Sequence, residues 1–264
     1  MRTRKILRPI VYNLSLPYIY LLDLLGLTDK DKIFIIGHMR AGTSLLTHIL
    51  QSNKEIEGVG ETHMKYTGKN DHLKLYQQLL IKQRKLLIRK RFILDKILHR
   101  NYIIDNKIFN SDRTKIIVIV RDSEASLKSL ISMKLMKERG WNVEQVNTYY
   151  VRQLQYIKEY VKNFPKKEQV FFLTYSELVN DSAAVLGAMS KFLDLKEPLT
   201  TEYQTNRNTG KRSYGDLSSN IKSGKILKKR ASEYEGPEIS EGLLEKSDLV
   251  YNDVVQEIRS LLQV

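Results

Sequence analysis

The run Lys32-Ile33-Phe34-Ile35-Ile36-Gly37 strings strand formers together and stops on a glycine. A short turn through Gly42 follows. A helix-periodic segment then begins, with Leu45, Leu46, Ile49 and Leu50 on one face. Strand, glycine loop and helix N-terminus form a phosphate cradle. Backbone N–H groups and the positive end of the helix dipole point at an anion. The plainer alternative is a tight strand-to-helix turn in which Gly37 and Gly42 serve backbone geometry only.

Gly37-x4-Gly42 has the spacing of a P-loop, but Thr43 stands where a nucleoside triphosphatase needs a Lys on its β/γ-phosphates. Arg40 is the fixed cation inside this loop. The phosphate held here therefore belongs to chemistry other than ATP or GTP hydrolysis.

The 264 residues make one large domain, read as a single domain over 1–264. Lys and Arg number 44 against 30 Asp and Glu, a balance of +14 that favours an anionic partner. There are no cysteines, which removes disulfides and thiolate metal sites and fits a reducing, cytoplasmic setting. The five histidines show no zinc-type pairing, so no metal is expected. The basic stretches lack interleaved aromatics, so no nucleic-acid platform is expected.

Residues 1–30 start basic (Arg2, Arg4, Lys5, Arg8) and turn apolar, with Pro17 and Asp23 inside the run. This segment reads as a helix packed on the domain or, second, as a peripheral membrane contact. A spanning helix is disfavoured. A short strand at 56–59 ends in Gly60-Glu61-Thr62-His63, where strand ends of a parallel sheet carry chemistry, so Glu61 or His63 can sit as a base. A loop charge or cap is the plainer reading of each. The 69–100 stretch reads as one long helical region on its leucine stripe, and 102–107 as a strand ending at Lys107. Thr114-Lys115-Ile116-Ile117-Val118-Ile119-Val120 is the clearest buried strand, followed by Arg121 and a helix. Helices over 146–164, 182–192 and 242–262 and a strand over 169–173 complete an α/β pattern. It describes a P-loop-like parallel sheet flanked by helices on both faces, with helical insertions.

Gly37-His38-Met39-Arg40-Ala41-Gly42-Thr43-Ser44-Leu45-Leu46 resembles the 5′-phosphosulfate loop of sulfotransferases, with Met39 in place of the family's Pro. Arg121-Asp122 followed by Ser129 resembles the family's second signature, which grips a 3′-phosphate. The likeness covers roughly 33–225 and is closest in motif to bacterial and tyrosylprotein-type members.

The resemblance implies a sulfuryl transfer from 3′-phosphoadenosine 5′-phosphosulfate (PAPS) to a hydroxyl. Arg40, Ala41, Gly42, Thr43, Ser44 and Leu45 would hold the donor's 5′ end, and Arg121 and Ser129 its 3′-phosphate. Tyr175 would contact its adenosine. A lid over 206–229 would close on it, with Lys211 as a donor cation. Glu61, with His63 as runner-up, would be the base. Lys107, from Asn106-Lys107, would neutralise the sulfuryl group beside Arg40. The acceptor is a small-molecule, lipid, sterol or glycan hydroxyl. A P-loop small-molecule kinase and a non-catalytic polyanion- or membrane-binding module remain as alternatives.

Overall fold

The computed structural model describes residues 2–68, 70–99, 112–205, 209, 220–227 and 238–264. In chain order the elements are α1 (Arg2–Leu24), β1 (Asp31–Gly37), α2 (Thr43–Ser52), β2 (Ile56–Gly58), α3 (Asp71–Gln83) and β3 (Phe92–Ile97). Then come β4 (Thr114–Val120), α4 (Ser123–Ile131), α5 (Lys134–Glu138), α6 (Val143–Asn163), β5 (Val170–Thr174), α7 (Tyr175–Asn180), α8 (Ser182–Phe192) and α9 (Glu241–Leu262).

The strands pair in the order β2-β3-β1-β4-β5, and each pairing is parallel. β1 is therefore the middle strand, with helices covering both faces. Strand alternation divides the core in two. Phe34, Ile36, Ile116, Val118 and Val120 enter the core beneath α3, α4, α6 and α9. Ile33, Ile35, Ile117 and Ile119 enter the one beneath α2 and α8. Strands buried on both faces need this unbroken β-branched run. The helices carry their own signals: Asn142 with Gln145 and Thr174 with Glu177 each form a reciprocal capping box.

One predicted element is wrong. The 69–100 stretch is not one helical region: α3 ends at Gln83, Arg84 turns left-handed at φ 58, and β3 follows. Phe92 and Leu94 enter one core and Ile93 and Ile97 the other. A two-face-buried strand shows no polar alternation, so its apolar residues also satisfied a helical stripe. The predicted strand at 102–107 and its Lys107 lie outside the described residues, as do Lys211 and most of the 206–229 segment.

Candidate active site

The turn from β1 to α2 contains two left-handed residues, Arg40 at φ 70 and Gly42 at φ 90. A Cβ on Gly42 would lie 2.4 Å from the Tyr175 ring, and one on Gly37 would lie 2.7 Å from the Ile119 carbonyl. Both glycines are therefore steric requirements of a loop pressed against β4 and Tyr175. No side chain caps α2 at Gly42. The first-turn N–H groups of a helix lack intrahelical acceptors, so this end carries the partial positive charge that draws an anion.

Arg121 follows β4 and is only 4% exposed. Its Nη1 donates to the Arg40 carbonyl at 3.3 Å, and its guanidinium lies 4.2 Å over the Tyr175 ring. Arg40 Nε donates to Ser129 Oγ at 2.7 Å. The two predicted anion grips thus adjoin: Arg40, Arg121, Ser129 and Tyr175 meet in one corner. His38, buried and unassigned from sequence, joins the strand ends there. Its Nε2 accepts the Arg121 N–H at 3.1 Å, and Nδ1 donates to the Met39 carbonyl at 2.9 Å, the tautomer being assigned from those two partners. Burial pushes the His38 imidazole down to about 4. Asp122 spends its carboxylate as the N-cap of α4, accepting from the Ala125 N–H at 2.8 Å.

Glu61 and His63 touch: His63 Nδ1 lies 3.3 Å from Glu61 Oε1. The Glu61 side chain is mostly buried and His63 is half exposed, at φ 59. Burial pushes the Glu61 carboxyl up, but the His63 hydrogen bond and the charges of Lys96, His63 and His99 outweigh it. The net direction is down. Burial pushes His99 down against the pull of Glu61. Tyr149 closes this side, its hydroxyl accepting the Met39 N–H at 3.3 Å and pushed up to about 12 by burial.

β3 contributes two residues that the helical reading concealed. Lys96, 2% exposed, directs its Nζ to 3.3 Å from Ser44 Oγ in the first turn of α2. Asp95, on the opposite face, accepts the N–H groups of Thr62 at 2.9 Å and Lys96 at 2.8 Å, and also the hydroxyls of Thr62 and Tyr66. Burial pushes the Asp95 carboxyl up, against those bonds. Asp95 thereby holds the loop that carries Glu61 and His63. The available signal was the dipeptide itself: an Asp-Lys step inside an apolar run is what the resemblance seeks at a strand end.

A cavity of about 250 Å³ lies beside this centre, lined by Ser44, His48, Gln51, Glu57, Lys82 and Lys96 among others. His48 spans its wall, Nδ1 to the Ser44 carbonyl at 2.8 Å and Nε2 to Thr209 Oγ1 at 2.9 Å. Among the described residues, no three His, Asp or Glu side chains gather as a metal site.

These features converge on one family. The chain belongs to the sulfotransferase domain family, whose profile matches residues 30–258. It is accordingly an enzyme that uses PAPS as sulfuryl donor. The sulfotransferase domain from the curacin biosynthetic pathway superposes with a TM-score of 0.59 at 18% identity, covering 84% of this chain and 98% of that one. The sulfotransferase domain from the Synechococcus PCC 7002 olefin synthase gives 0.57 at 16%, covering 84% and 95%. Mouse sulfotransferase SULT7A1 complexed with PAP gives 0.53 at 14%, covering 90% and 91%. At these identities the structural likeness is one of fold. Among curated proteins no significant sequence match was found. The residues present fit the donor's charge: an uncapped helix N-terminus, a half-buried and a buried guanidinium, and a buried ammonium.

Proposed function

We propose that the enzyme transfers the sulfuryl group of PAPS to the hydroxyl of a polar acceptor, a sugar or a lipid head group, with Glu61 as base and Lys96 as the cation on the sulfuryl oxygens. The observation that carries this reading is the position of Lys96, whose Nζ lies 3.3 Å from Ser44 Oγ at the anion cradle and whose charge helps to pull the Glu61 carboxyl down. Sulfuryl transfer resembles phosphoryl transfer in its loose, in-line transition state, so positioning and charge neutralisation dominate.

The donor supplies a sulfuryl group attached through oxygen to its 5′-phosphate. Glu61, held ionised by its neighbours, takes the acceptor's proton as the new O–S bond forms. Backbone N–H groups at Gly42, Thr43 and Ser44, with Arg40, stabilise the 5′-phosphate as the old S–O bond breaks. Arg121 and Ser129 anchor the 3′-phosphate, and Tyr175 supports the adenosine. Lys107, outside the described residues, is the alternative to Lys96 as the sulfuryl cation, and Lys211, also outside them, keeps the lid role that the resemblance implies. A tyrosylprotein-type affinity rests on Gly60-Glu61 and on the lysine that the resemblance places at a later strand end. The polar lining of the adjacent cavity supports a sugar or head-group alcohol over a bare sterol. For the kinase alternative, Thr43 occupies the loop-lysine position and Asp122 is engaged as a cap.

The test is incubation with labelled PAPS and parallel panels of glycans, glycolipids, sterols and tyrosine peptides. Label should enter a glycan or glycolipid and be lost in Glu61→Ala. Label entering sterols alone would overturn the polar acceptor. Activity kept in Glu61→Ala but lost in His63→Ala would move the base to His63.

A further inference from the structure

From Val11 onward α1 is largely apolar, yet only one of its faces is covered. Ile19 and Leu22 are buried against the domain. Gln77 of α3 donates to the Tyr12 carbonyl at 2.7 Å and to Ser15 Oγ at 2.8 Å, and the Tyr18 hydroxyl donates to the Leu86 carbonyl at 2.9 Å. These contacts lay the helix lengthwise along α3. The exposed side carries Leu14 (76% exposed) and Leu21 (52%) with Tyr18 between them at helical spacing, and Leu24 and, in the turn after the helix, Leu25 (61%) extend it. An apolar surface this continuous on a water-facing helix is an interaction surface.

We propose that this face rests in the interfacial region of an anionic phospholipid bilayer. Charge complementarity selects that occupant. The helix opens with Arg2, Arg4, Lys5 and Arg8, and Asp23 is the first acidic residue of the whole chain. A basic segment that continues into an apolar helical face fits anionic head groups above acyl chains. Tyr18 and Tyr20, both partly exposed, have the amphipathic rings that sit at head-group depth. A second copy of the chain would bring only the Asp23 carboxylate of its own α1 to meet the four cations. Among the described residues no helix is long and apolar enough to cross a membrane, and α1 is bound along α3, so it lies on the bilayer. This inference does not depend on the acceptor.

The test is cosedimentation of the full chain with phosphatidylcholine vesicles, with and without phosphatidylglycerol. The wild type should pellet with the anionic vesicles. Binding should weaken about tenfold or more without phosphatidylglycerol, and by a similar factor in Leu14→Ser/Leu21→Ser/Leu25→Ser, whose PAP affinity and melting temperature should stay unchanged. Equal pelleting of wild type and triple variant, or indifference to the anionic lipid, would overturn the proposal. So would a dimer in light scattering that the triple variant dissolves while the wild type ignores vesicles. If the triple variant fails to fold, Leu24→Trp decides instead: its emission should shift to the blue on anionic vesicles, and an unshifted spectrum refutes the membrane face.

Discussion

His38 ties the end of β1 to the end of β4 by accepting the Arg121 amide N–H, and only the neutral imidazole can do so. The same ring donates its single N–H, at Nδ1, to the Met39 carbonyl, one residue before the Arg40 that reaches Ser129. The loop and the Arg121 corner are therefore held in register by one buried side chain.

The burial of this ring makes stability depend on pH. The folded-state value of His38 is depressed from 6.5 to about 4, so below 6.5 the unfolded chain takes up a proton that the folded one refuses. The contribution is fully present above that value and lost as pH falls through the window, about 3 kcal/mol in all. Urea unfolding across this range should show the loss, and His38→Gln should flatten it. An unchanged slope in the variant would refute the assignment.

Gly42→Ala forces a Cβ into the Tyr175 ring at a backbone angle that disfavours any side chain. Stability should fall by about 1–2 kcal/mol and PAP affinity by about tenfold. Adding Tyr175→Ala should restore part of the stability by making room, but not the strain of φ 90. Calorimetry of the single and double variants separates these two effects.

Lys96→Met keeps the length of the side chain and removes its charge. kcat should drop about 100-fold, the scale of losing one preorganised charge partner. Lys96 also helps to hold the Glu61 carboxyl down, so the acid limb of the residual kcat/KM profile should move to higher pH. A fall in kcat with an unmoved limb would leave Lys96 near the sulfuryl group but uncoupled from Glu61.

Arg121→Ala should weaken binding of the 3′,5′-bisphosphate product about 100-fold and AMP far less, because only the first carries a 3′-phosphate. Isothermal titration with both ligands reads this directly. Equal losses would remove the 3′-phosphate role and leave Arg121 as a support for the Arg40 carbonyl and Tyr175.

Much of this architecture was legible in the chain. β1 and β4 are continuous β-branched runs, and such runs have few uses other than a strand covered on both sides. The loop at Arg40–Ser44 was legible from its glycine spacing and the pair Arg121 and Ser129 from the resemblance, and the structure sets Arg40 against Ser129 and Arg121. β3 was not found, because the same apolar residues that fill two cores also trace a helical stripe. Missing the strand concealed Lys96 and Asp95. His38 was illegible for a different reason: its partner stands far along the chain, and only the pairing of β1 with β4 brings the two together.

Asp95 and Lys96 are neighbours that look in opposite directions, one bracing the Glu61 loop and the other facing Ser44. Both tasks are set by how β3 is threaded, with Leu94 opposite Gly58 and Ile33. Sliding the strand by a single position would exchange the brace and the cation, and would aim a carboxylate at the phosphate cradle. Insertions before Phe92 can be absorbed by the connecting turn. A residue added or deleted between Phe92 and Asp95 would leave a folded sheet with its polarity reversed beside Ser44, at the proposed sulfuryl site.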